Sequence, residues 1–252
     1  MKLYFYLYDK YSVAGRELAR ACNAKTIKLE DTRFRPAPDK LVINWGNSNP
    51  AVPVDLNQPR SVGRAIHKLR AFERFQQMGV SCPLFTQSVV IAQEWSDSNY
   101  RVVGRDLEGA SGGRGITLYD RGAQIGNHRF YTRYVKKQRE FRIHVFNGDV
   151  IFQQEKLKKN GVEDRDKYIR SHNRGWVFAF RHLEEDPVPE SVITTAINAI
   201  ETLELDFGGV DIGYHELTGA TVFEVNTAPG IEETSLDAYR RAINDWKDNH
   251  AR

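Results

Sequence analysis

Cysteine is scarce: Cys22 and Cys82 are the only two in 252 residues. That excludes a disulfide framework and points to a reducing compartment, with the cytoplasm as the expected location. Long apolar runs are also missing. Nothing approaches the roughly 18 residues a membrane-spanning helix needs, and Asp9 and Lys10 interrupt the opening MKLYFYLYDKYS too early for a signal peptide. Neither sign of charge dominates, the formal net charge being +3, so bulk electrostatics does not demand a nucleic-acid partner. There is no internal repeat, no low-complexity tract, and no Ser/His/Asp or Cys/His constellation. The histidines at 67, 128, 144, 172, 182, 215 and 250 show no metal-ligand spacing, so each reads as structural or exposed.

What is present is ordinary for a globular chain, with 40% hydrophobic and 27% charged residues. The first strand is expected at 2–8, a helix at 13–22 and a buried strand at 40–46. The loop after it, with Asn47, Asn49, Pro50, Pro53, Asn57 and Pro59, is rich in turn residues. A small α/β domain over 1–60 is therefore expected. Next, SVGRAIHKLRAFERFQQMGV places Ile66, Leu69, Phe72, Phe75 and Met78 at helical spacing, with Ser61 as a cap and Gly79 as the stop. Strand-like pieces follow at 87–95, 100–106, 115–120 and 129–135, then a hairpin over 139–157 turning at Asn147-Gly148. A helix at 189–204 with Ser191 or the acidic residues before it as cap, a second hairpin at 208–226 and a last helix at 235–248 complete the chain. Hairpins separated by helices, rather than βαβ alternation, predict an α+β fold with antiparallel sheets in residues 61–252.

Two segments carry chemistry. LEGASGGRGI, residues 107–116, places Gly109, Gly112, Gly113 and Gly115 within seven positions. It joins two strands, unlike a Rossmann or Walker loop, and so suits a lid whose backbone N–H groups fold over phosphates; Arg105 lies just before it. In DFGGVDIGYHELTGATVFEVNTAPG, residues 206–230, Glu224 and Asn226 are two apart on a strand and share a face. A two-residue turn at Leu217-Thr218 would set Asp211 opposite Glu224, and one at Thr218-Gly219 opposite Asn226; an odd loop would break the arrangement. Two carboxylates and an amide oxygen suit Mg²⁺ or Mn²⁺. A third feature is the basic zone over 129–174, which would serve a non-catalytic nucleic-acid- or nucleotide-binding module.

In order, HKLRAFERFQQMGVSCP, VVGRDLEGASGGRGI, YTRYV, REFRIHVFNGDVI, RSHNRGW and GGVDIG…VFEVNTAPG resemble the ATP-grasp superfamily over about residues 60 to 232. The likeness is greatest to RimK-type glutamate ligases and D-alanine–D-alanine ligases; the chain's size and IRSHNRGWVF also resemble phage-encoded carboxylate–amine ligases. The resemblance implies two α+β subdomains clamping ATP, here 61–132 with the glycine lid and 133–252 with the metal site. It implies that Lys68, Arg105, Ser111, Gly112 and Gly113 hold ATP phosphates. Arg133 and Tyr134 would hold adenine from the hinge backbone, and Glu140 would meet the ribose. Arg142, Lys156, Arg170 and Asn173 would serve as catalytic and substrate-side groups, and Asp211, Glu224 and Asn226 as magnesium ligands. His67 stands where Asp is common, Arg105 where Lys is usual, and Arg133 where an acid is usual. The implied activity is amide formation between a carboxylate and an amine at the expense of ATP, on small-molecule, amino-acid or peptide substrates.

Overall fold

In a computed structural model describing residues 1–106, 115–161 and 167–250, the chain forms three sheets. The first is parallel, ordered β2-β1-β3, from β1 (Lys2–Leu7), β2 (Lys25–Thr26) and β3 (Lys40–Trp45). Between β1 and β2 runs α1 (Val13–Ala21), whose N-terminus is capped by the Ser12 hydroxyl accepting from the Gly15 N–H. The loop after β3 is tied down: the Asn57 amide, fully buried, bonds the backbone of Asp206 and Phe207.

The single helix expected over 61–79 is two helices, α2 (Pro59–Ile66) and α3 (Lys68–Met78). They meet at His67, whose extended backbone (φ −96°, ψ 98°) breaks the ladder, and the cap position is Gln58 rather than Ser61. Gly79 does stop α3, at φ 74° in the left-handed region. The strand expected over 87–95 is instead the helix α4 (Val89–Asp97). Its V-V-I start reads as a strand, but Ser88 caps it and only the face with Ala92 and Ser96 is fully buried.

The second sheet, antiparallel in order β4-β7-β5-β6, comprises β4 (Phe85–Thr86), β5 (Val102–Arg105), β6 (Ile116–Tyr119) and β7 (Phe130–Arg133). One of its faces packs under α4 through Ala92, Val102, Ile125 and Tyr131. The third sheet, antiparallel in order β10-β9-β8-β11-β12, comprises β8 (Arg139–Phe146), β9 (Asp149–Lys158), β10 (Trp176–Ala179), β11 (Phe207–His215) and β12 (Gly219–Asn226). Its first hairpin turns at Asn147-Gly148, both at positive φ (49° and 84°), as expected for that dipeptide. One face packs on α2, α3 and α5 (Glu190–Thr202), burying Phe72, Phe75, Ile200, Phe141, Ile143, Val210 and Val222. At the start of α5 the cap position is Pro189, without a side-chain cap. The last helix, α6 (Glu233–His250), packs with β1 and β3 around Trp45, Phe207 and Tyr239. No described helix is long and apolar enough to cross a membrane.

Candidate active site

The open faces of the two antiparallel sheets enclose a cleft of about 390 Å³. Strand alternation decides what lines it. On β5, Val103 and Arg105 face the cleft while Val102 turns to α4. On β8, Glu140 and Arg142 face it while Phe141 and Ile143 enter the core.

The second hairpin reaches the expected face by an unexpected route. Its loop, Glu216-Leu217-Thr218, has three residues, because His215 pairs with Gly219. Left uncorrected, that odd loop would set Asp211 opposite Phe223 and turn Glu224 into the core. A β-bulge absorbs Phe223, so that Ile212 pairs with Val222, Asp211 with Glu224, and Gly209 with Asn226. Val222 and Val225 are core, and Asp211, Glu224 and Asn226 all line the cleft.

Among the described residues, seven lysine and arginine side chains line the cleft against four acidic ones. Arg142 grips Asp211 with two hydrogen bonds, Nε to Oδ1 at 2.6 Å and Nη2 to Oδ2 at 2.8 Å. Burial works to raise the Asp211 carboxyl, but Arg142, then Lys156 and Lys68, outweigh it and hold it below the usual range. Lys68, at the first turn of α3, reaches Glu224 at 2.5 Å. Lys156 donates to Glu140 at 2.5 Å, and Lys137 approaches the same carboxylate at 3.5 Å. Glu140 is thus held by two lysines in the cleft wall. Burial pushes the Lys137 ammonium down, with Glu140 opposing.

Among the described residues, two guanidiniums keep a buried, unpartnered Nε: Arg105 and Arg170. Arg105 is pushed below its usual range by burial, which Glu224 partly offsets. Arg170 lies over the Trp176 ring at 4.5 Å and donates from Nη2 to the Gln138 carbonyl. Buried guanidinium N–H groups without acceptors are costly and ready for an anion.

Of the residues anticipated, the fold brings Lys68, Arg105, Arg133, Tyr134, Glu140, Arg142, Lys156, Arg170, Asp211, Glu224 and Asn226 to this one cleft. Asn173 is not brought there: it sits exposed in a short 3-10 turn, His172–Arg174. Ser111, Gly112 and Gly113, with the glycine lid, lie outside the described residues. The backbone N–H groups of Arg133 and Tyr134 are spent on the Leu84 and Arg101 carbonyls, so neither is left to donate to a ligand. Lys137, Tyr168, Trp176, Phe178 and Glu232 also line the cleft; Lys137 lies in the basic zone and Trp176 closes the RSHNRGW segment, but no motif marks the other three. The basic zone is not a continuous surface, since Lys137, Arg142, Lys156 and Arg170 turn inward and Arg139 is bound by Glu155 and Asp186.

The set Asp211, Glu224 and Asn226 fits a hard divalent cation. All its donors are oxygens, and the Asn226 amide nitrogen already donates to the Gly209 carbonyl at 3.4 Å, which leaves its oxygen for a ligand. Lys68 and Arg142 now supply the positive charge beside those carboxylates. Among the described residues no group of three or more His, Cys, Asp or Glu side chains could hold a metal; this set reaches three only by counting the amide.

No family model matches the sequence. A probable alpha-L-glutamate ligase of Enterobacter sp. (strain 638) is 29% identical over 217 residues, covering 78% of this chain and 68% of that protein. The D-alanine–D-alanine ligase of Bacillus anthracis, solved with ATP, superposes with a TM-score of 0.66 at 14% identity, covering 100% of this chain and 97% of the other. The ATP-grasp ligase PsnB, solved with its minimal precursor, gives 0.68 at 10% identity, covering 100% and 99%.

Proposed function

On the premise that the chain has the ATP-grasp fold, we propose that it is an ATP-dependent carboxylate–amine ligase that forms an amide through an acyl phosphate, releasing ADP and phosphate. The observation that carries this reading is the convergence of Asp211, Glu224 and Asn226 with an excess of cationic side chains in one cleft between two antiparallel sheets. The excess suits a polyphosphate and a carboxylate substrate, and phosphoryl transfer is catalysed chiefly by positioning and charge neutralisation.

The positions of these residues in the cleft support the following roles. Lys68 and Arg105 approach from opposite sides and hold the phosphates. Arg142, fixed by its two hydrogen bonds to Asp211, keeps its charge aimed at the transferring phosphoryl group and the oxyanion that follows. Lys156, with Lys137 behind the shared Glu140, neutralises charge on the acyl phosphate, and Arg170 over Trp176 orients the acid. Tyr168, Trp176, Phe178 and Phe223 give the cleft aromatic walls that limit water, against which an acyl phosphate must be protected. A Mg²⁺ or Mn²⁺ ion held by Asp211, Glu224 and Asn226 would neutralise the phosphate oxygens. The acid and the amine are amino-acid or peptide groups.

The test is ADP release from Mg-ATP against pools of amino acids and peptides, with mass spectrometry for new amide bonds. The wild type is expected to release ADP only with a cognate pair, and Glu224→Gln to lose at least about a hundredfold in rate while melting as the wild type does. Failure of the wild type to bind magnesium nucleotide, or full turnover by Glu224→Gln, overturns the reading.

A further inference from the structure

We propose that His128 is a positioning residue of the nucleotide site: clamped between Asp106 and Tyr119 on the back of β5, its imidazole holds Arg105 in the cleft. The inference rests on the reading of the cleft as an ATP site.

Alternation puts Gly104 and Asp106 on the face of β5 away from the cleft, and Arg105 between them on the cleft face. The His128 ring lies flat against Gly104, so that a Cβ there would fall 2.2 Å from the ring Cδ2. The ring has no freedom to move aside. Its Nδ1 is 2.6 Å from Asp106 Oδ1 and its Nε2 is 2.7 Å from the Tyr119 hydroxyl. With the Asp106 carboxylate accepting from Nδ1–H and the Tyr119 hydroxyl at Nε2, both ring nitrogens have a partner. The His128 N–H in turn donates to the Tyr131 hydroxyl at 2.8 Å. The ring thus joins Asp106, just past the end of β5, to Tyr119 of β6, while the His128 backbone N–H holds Tyr131 of β7.

The clamp bears on the residues either side of Arg105. That guanidinium is buried with an unpartnered Nε, and the Phe130 ring 5.9 Å away is a weak support. A buried Nε–H without an acceptor would turn toward solvent if the backbone at Arg105, the last residue of β5, could shift. Tethering Gly104 and Asp106 from behind removes that freedom.

The experiment measures Mg-ADP affinity by calorimetry for the wild type, His128→Ala, Asp106→Ala, Arg105→Ala and the double variants that combine Arg105→Ala with each of the first two. His128→Ala and Asp106→Ala should each weaken binding about tenfold, within the range of couplings between groups linked by a shared backbone shift. With Arg105 already removed, either change should alter affinity less than about twofold. A merely structural histidine would lower the melting temperature and add its effect regardless of Arg105. Wild-type affinity in His128→Ala and Asp106→Ala, or an undiminished His128 effect without Arg105, overturns the proposal. Should His128→Ala not fold, Asp106→Ala, at a side chain that is half exposed, decides it through its own cycle with Arg105→Ala. A wild type that fails to bind Mg-ADP brings down the ligase reading and this inference together. A wild type that binds but ignores His128 and Asp106 brings down this one alone.

Discussion

His144 stands two residues beyond Arg142 on the same face of β8, fully buried, with Nδ1 3.2 Å from the Tyr239 hydroxyl and Nε2 3.1 Å from Gln154 Oε1. Burial, and then Arg142, push its pKa down from 6.5 to about 4. A histidine depressed in the folded state resists the proton that the unfolded chain takes up. Its full stability is present above pH ~6.5 and is lost progressively as pH falls toward about 4. From neutral pH to pH ~5 the loss is about 2 kcal/mol. Asp211 acts in a different window: its folded pKa is depressed, so its contribution is lost only below the ordinary carboxylate range of about 4. Urea titrations at the two pH values should therefore show the wild type weakening by about 2 kcal/mol more than His144→Gln. Equal slopes in the two proteins would mean that His144 is charged, or solvated, in the native state.

The β11–β12 hairpin depends on its bulge. Phe223 is the extra residue, opposed by no partner, while Val222 and Val225 belong to the core and Glu224 and Asn226 to the cleft. Deleting Phe223 would regularise the strand and leave every other side chain on its present face. Deleting Val225 would bring Glu224 and Asn226 next to each other and force one of them into the core. The Phe223 deletion should fold and bind Mg-ADP, and the Val225 deletion should do neither; nucleotide binding by both, or by neither, contradicts the register. This hairpin also marks the limit of what sequence reveals. Its strands, and the shared face of Glu224 and Asn226, were legible from alternation, but Asp211 joins them by way of a three-residue loop and a cancelling bulge rather than the even loop expected, and neither is legible in the sequence. The helix α4 was misread as a strand since its β-branched opening is also a buried-strand pattern, and tertiary burial of Ala92 and Ser96 settled the matter. The break at His67 was hidden because the apolar spacing runs on through both α2 and α3. Lys137 was legible only as one member of the basic zone over 129–174, and only the fold turns it inward against Glu140.

At the scale of the molecule, the turn-rich loop at 47–60 suggests a seam between a first domain and the rest, but the cores do not divide there. Phe5, Ile43 and Trp45 from β1 and β3 share one apolar cluster with Phe146 and Phe207 of the third sheet and with Tyr239, Ile243 and Trp246 of α6. Trp45 stacks on Phe207 at 5.5 Å and meets the Tyr239 ring edge-on at the same distance. Asn57, in the middle of the supposed linker, is anchored to the start of β11 by four hydrogen bonds, one of them 2.5 Å from its N–H to Asp206. Gly46 approaches the loop after Asn226 so closely that a Cβ there would meet Ala228 at 2.7 Å. The first sheet therefore backs the segment that carries the proposed metal ligands. A fragment of residues 59–252 would expose Phe207, Tyr239 and Ile243 and lose the packing that orients α6. We expect it to lack a cooperative melting transition and to elute as aggregate in size-exclusion chromatography, because burying such aromatic groups contributes several kcal/mol in total (about 1.5–3 each), comparable to the whole stability of a domain. A monodisperse fragment that melts cooperatively would instead make the first sheet an appended module, and would free substrate recognition in the cleft from any dependence on it.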